Sequence, residues 1–144
     1  MTLKVLISFL LNWISINTDY KTEGFNFPVI VIPKSELEVK ACRGKCPILA
    51  FFSSKEGILI SKMDFNGLCN QSIILHEIIH ALQFTQRKDM ENVFKEKEAY
   101  EIQNFFLTDM SIEKELITPL NIRKCRSIQG GLEKIQGGLE NKLL

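Results

Sequence analysis

At 144 residues, with 45% hydrophobic and 24% charged side chains, the chain has the composition of one globular domain and is too short for two cores. A formal net charge of +1 gives no electrostatic basis for binding nucleic acid or an anionic membrane surface. The N-terminal apolar run is too short and too polar to span a bilayer.

That run has two readings. Lys4 ahead of Val5-Leu6-Ile7 resembles the start of a secretory signal. However, Lys4, Ser8, Asn12, Ser15 and Asp19 recur at helical spacing and draw one polar stripe along an apolar segment. No small-x-small cleavage site follows, so the preferred reading is an amphipathic helix over 3–17. This tips localisation slightly toward the cytoplasm. The cysteines keep it open: Cys42-Arg-Gly-Lys-Cys46 has the spacing of a small disulfide loop, which would favour export. Free thiols, or a structural metal site with Cys69 and Cys125, are the alternatives.

After a polar stretch over 17–24, residues 27–32 are rich in β-branched side chains, end at Pro33 and read as a buried strand. Residues 35–37 fit a short helical turn. Two further apolar runs, 47–52 and 57–63, flank the turn-forming 53–57 and predict a β-hairpin. A helix over about 71–87, capped by Asn70 or Ser72, is apolar around most of its circumference and should be central and buried. Another helix follows from about 91 to 107, then a loop marked by Pro119. The end repeats Ile-Gln-Gly-Gly-Leu-Glu at 128–133 and 135–140; paired glycines disfavour helix, and this reads as a mobile extension. The expected organisation is a domain over 1–120 and an extension over 121–144.

Both histidines of the chain fall in the central helix, in His76-Glu77-Ile78-Ile79-His80. Positions i and i+4 share a helix face, so two imidazoles can reach one metal ion, and the intervening glutamate can serve as base to a metal-activated water. A catalytic zinc site normally has three protein ligands and one open position. With no third histidine, the ligand must be a carboxylate or a thiolate. On the following helix Phe94, Ala99, Ile102, Phe105 and Phe106 trace an apolar arc at 100° per residue, and Glu98 falls inside it. A carboxylate in such an arc needs a partner or a metal. Glu98 is therefore the expected third ligand, with Glu101 in reserve, Cys69 as a thiolate alternative and Glu96 projecting away. Gln83, on the metal-facing side, is either an orienting hydrogen-bond partner or a solvated side chain.

The motif followed by a glutamate on the next helix resembles the gluzincin branch of zinc metallopeptidases. More closely, His76-Glu77-Ile78-Ile79-His80-Ala81-Leu82-Gln83 and Glu98-Ala99-Tyr100-Glu101-Ile102-Gln103 are similar to small bacterial domains with HExxHxxQ and EAYxxQ elements. The resemblance covers roughly residues 6–108. It implies an α+β, zincin-like minimal domain: an N-terminal helix, a small three-stranded sheet with a hairpin, the central motif helix and a ligand-bearing helix. A looser similarity is to proteases acting on phage-type repressors, which pair HExxH with a downstream ExxA helix.

The expected function is peptide hydrolysis with Zn²⁺ on His76, His80 and Glu98, Glu77 as general base, and a peptide or protein substrate along strand edge 48–52 or 57–63. A zinc-binding domain without proteolysis, or a regulatory repressor-cleaving protease, are the alternatives. No residue is assigned to the oxyanion: Tyr100 stands about 160° around the helix from Glu98, and Tyr20 and Arg87 have no positional support. Oligomeric state is not legible.

Overall fold

The computed structural model describes residues 1–42 and 48–133. Thr2 opens the first helix, its hydroxyl accepting from the Val5 N–H at 3.2 Å. In this helix, α1 (Leu3–Asn17), Lys4, Ser8, Asn12 and Ser15 all face solvent. The opposite face buries Leu6, Leu10, Trp13 and Ile14 in the core, so the segment is integral to the fold.

A short strand, β1 (Val29–Val31), precedes α2 (Lys34–Cys42), which is longer than the expected turn at 35–37. Next come β2 (Ala50–Ser53) and β3 (Gly57–Ile60), the expected hairpin in shorter form. The strand order is β1-β3-β2, with β1 parallel and β2 antiparallel to β3. The expected buried strand at 27–32 is thus an edge strand with Ile30 and Val31 exposed; the buried one is β3, paired on both sides. Gly57 makes the hairpin possible. Its φ is +98°, and a Cβ there would meet the Pro28 carbonyl oxygen at 2.5 Å. That same oxygen accepts from the Ile58 N–H at 2.8 Å.

The long helices are α3 (Leu68–Gln86) and α4 (Asn92–Glu113). α3 begins earlier than predicted, at Gly67, without a side-chain cap. Ser72 instead donates to the Cys69 carbonyl, and the Asn70 amide to that of Asp64. α3 buries Ile74, Leu75, Ile78 and Ile79 between α1, the sheet and α4. Trp13 ties α1 to α4, donating from Nε1 to Asp109 at 2.8 Å.

A final helix, α5 (Ile122–Glu133), corrects the boundary expected at residue 120. Ile122 and Cys125 are buried with Leu68 and Leu107, and Cys69–Cys125 is a disulfide joining the start of α3 to α5. The first repeat unit lies within α5, and the second, 135–140, lies outside the described residues, as does Cys46 of the expected small loop. None of the described cysteines is a free thiol, which removes Cys69 as a thiolate ligand. No described helix is long and apolar enough to cross a membrane.

Candidate active site

The i, i+4 spacing on α3 brings the two imidazoles together with ring centroids 4.6 Å apart. Their Nε2 atoms are 3.0 Å apart, and the Oε1 atom of Glu96 stands 3.0 Å from that of His76 and 2.7 Å from that of His80. Among the described residues, His76, His80 and Glu96 form the group of ligand atoms that can hold a metal ion, all within 4.8 Å of one another.

The third member corrects the expectation of Glu98. Measured from Gln103, Glu96 lies about 20° around α4 and Glu98 about 140° at 100° per residue. The buried face of α4 is Ala99, Gln103, Phe106 and Leu107, whereas Phe94 and Phe105 are exposed. The apolar arc drawn from the sequence included those two exposed phenylalanines and so pointed the wrong way around the helix. Glu101, the reserve, is exposed. The sequence did hold a signal for Glu96: Glu96-Lys97-Glu98-Ala99 is an ExxA element, with Ala99 fully buried where α4 meets α3.

Glu98 has a different place. Its carboxylate accepts from the Tyr20 hydroxyl and, at 2.9 Å, from the Gln83 amide. Gln83 also donates to the Lys95 carbonyl, which leaves its oxygen facing His80 Nδ1 at 2.8 Å. Gln83 is fully buried, so it is an orienting partner and not a solvated residue. A parallel chain acts on the other imidazole. The Gln103 amide donates to Ser72 Oγ at 3.2 Å, and its oxygen faces His76 Nδ1 at 2.9 Å. Ser72 in turn donates to the Cys69 carbonyl at 2.7 Å.

These two chains decide the histidine tautomers. An amide oxygen only accepts, so each Nδ1 carries a proton, and in the neutral ring each Nε2 presents a lone pair. Two lone pairs and a carboxylate then converge within 3.0 Å, an arrangement that requires a positive charge among them. Ligands about 2.0–2.1 Å from a tetrahedral ion are about 3.3 Å apart. The three atoms need move only a few tenths of an ångström to accept one.

The electrostatics agree. The close contacts with the two imidazoles hold the Glu96 carboxyl well below the usual carboxylate range. Burial works against charge on His80, but Glu96, Glu77 and Gln83 outweigh it and raise its pKa. Burial likewise pushes Glu77 up, opposed by the two histidines and by a hydrogen bond from the Phe52 backbone N–H. That bond sets Glu77 between the site and the sheet edge.

Phe52 therefore directs its backbone groups away from β3, and by antiparallel alternation those of Ala50 point the same way. Consistently, the carbonyl of Leu49 accepts from Ser61 on the β3 side. The edge of β2 forms one wall of a cleft of about 440 Å³, with α3 and the start of α4 opposite. Ile48, Phe51, Phe52, Ile73 and Phe84 make that cleft largely apolar around His76, Glu77, His80 and Glu96. Of the two strand edges considered from sequence, 57–63 is unavailable, because β3 is paired on both sides.

Tyr20 and Arg87 lie together behind Glu98, the guanidinium 5.0 Å from the centre of the ring. Tyr100 is one turn beyond Glu96, its ring centroid 4.6 Å from that of His76, and it lines the cleft. Burial and then the charge of Glu96 raise its phenol pKa. Compared with family models, with characterised proteins and with solved structures, the chain matches none.

Proposed function

We propose that the protein is a zinc-dependent metallopeptidase of zincin-like architecture, with His76, His80 and Glu96 as ligands and Glu77 as general base. The observation that carries this reading is the convergence of two Nε2 lone pairs and a carboxylate, each imidazole fixed by a buried glutamine. A His, His, Glu set with an open fourth position is characteristic of hydrolytic zinc. When bound, the ion supplies Lewis acidity that lowers the pKa of a coordinated water toward about 7.

The chain's own residues supply the rest. An extended peptide adds to the edge of β2 and seats apolar side chains among Phe52, Phe84 and Ile73. Glu77 accepts a proton from water as its oxygen bonds to the scissile carbonyl carbon. It then delivers that proton to the amine as the C–N bond breaks. A carboxylate whose pKa is raised by burial suits both halves of this transfer. The Cys69–Cys125 disulfide supports an oxidising compartment over the cytoplasmic preference drawn from the N terminus.

The test joins metal analysis to hydrolysis of an unfolded protein substrate. Wild type should bind one zinc and cleave, while Glu77→Gln should keep the zinc and lose about 10³-fold or more in kcat. Wild type that binds zinc and cleaves nothing would favour a zinc-binding domain without proteolysis.

A further inference from the structure

The proposed reaction needs a donor to the tetrahedral oxyanion besides the ion. Among the described residues, apart from the candidate ligands and Glu77, the polar side chains lining the cleft are Asn92, Lys95 and Tyr100. Asn92 is exposed at the first position of α4. Lys95 has four rotatable bonds, and fixing it costs up to about 2 kcal/mol in side-chain entropy. Tyr100 is stiff, and its ring is already packed against His76.

Tyr100 also has a partner that directs its hydrogen. It lies on the lining of both the cleft and an adjoining cavity shaped by Asn104, Asn121, Arg123 and Arg126. Arg126 lines that adjoining cavity beside the phenol, and its positive charge acts on the phenolic oxygen. A guanidinium can only donate, so toward Arg126 the phenolic oxygen serves as acceptor, and its hydrogen remains available to another acceptor. Donation into the oxygen also strengthens the phenol as a donor. Arg126 follows Cys125, whose disulfide ties α5 to the start of α3.

We infer that Tyr100 is the oxyanion donor of this site and that Arg126 is its positioning residue. The inference rests on the metallopeptidase reading above. The phenol gives a hydrogen bond and keeps its proton, so no bond is made or broken at Tyr100.

The test uses the zinc-loaded full chain, a peptide substrate and a phosphonate peptide that mimics the tetrahedral anion. Tyr100→Phe keeps the ring against His76. It should retain one zinc and a KM within about threefold of wild type, with kcat reduced about 10²–10³-fold. Affinity for the phosphonate, read by calorimetry, should fall in proportion. Arg126→Met should keep zinc and KM and lose about tenfold in kcat and phosphonate affinity, with Arg126→Lys partly restoring both. A Tyr100→Phe enzyme with unchanged kcat and phosphonate affinity overturns the inference alone. Loss of zinc in that variant also overturns it, assigning the tyrosine to holding His76. Wild type that neither cleaves peptide nor binds phosphonate overturns both the inference and the reading beneath it.

Discussion

Glu96 and Gln103 stand two turns apart on α4 and address the same imidazole from opposite sides. The carboxylate lies 3.0 Å from His76 Nε2 and the amide oxygen 2.9 Å from Nδ1. One helix face thus supplies both a candidate ligand and the group that orients another candidate, so α3 and α4 must keep their register for the cluster to exist.

Exchanging the roles of the two glutamates gives the most direct check. Glu96→Ala should reduce zinc affinity by about 10³-fold or more. Glu98→Ala, acting only through Gln83, should cost about tenfold or less. Titration against a chromogenic chelator measures both. A larger loss for Glu98→Ala would restore Glu98 as the ligand.

Gln103→Leu should lower zinc affinity by about 10–100-fold, because His76 loses the acceptor that fixes its tautomer. Gln103→Glu keeps an acceptor at that place and should retain more of the affinity. Equal affinity in Gln103→Leu and wild type would show that this orientation is unimportant.

Metal uptake should release protons. With its pKa raised above the ordinary imidazole value of 6.5, His80 in the metal-free protein is mostly protonated at that pH. The proton must leave as the ion binds, so affinity should fall as pH drops through this raised pKa. Calorimetry in two buffers of different ionisation enthalpy should show net proton release on zinc binding near pH 6.5, fading as pH rises. Uptake with no proton release there would contradict the charge assigned to His80.

Removing the Cys69–Cys125 bridge opens a loop with a sequence separation of 56. Loop-closure entropy makes this worth about 4 kcal/mol, a fall of about 10 °C in Tm. Thermal unfolding of the Cys69→Ser, Cys125→Ser double variant measures it, and an unchanged Tm would refute the bridge's role.

Gly57→Ala should cost at least about 2 kcal/mol, because the methyl group would meet the Pro28 backbone at 2.5 Å and adopt an unfavourable φ. Chemical denaturation decides this. Wild-type stability in the variant would show that the hairpin can shift.

The sequence by itself determined the local chemistry. The spacing of His76 and His80 needs only one turn of helix, so the paired imidazoles with Glu77 between them are legible without a fold. The polar stripe of α1 and the hairpin turn are legible for the same reason, since each is set by neighbours in the chain. What the tertiary structure decided is which face of α4 meets α3. Phe94 and Phe105 look like core residues but are exposed, while Gln103 and Ser111 look polar and are buried. Burial of a polar side chain depends on partners such as Ser72 and His76, which the linear pattern does not bring together. The same packing seats Glu98 against Tyr20, 78 residues away, and Cys125 against Cys69. Helix periodicity fixes angles within a helix, and only the contact between helices fixes where zero degrees lies.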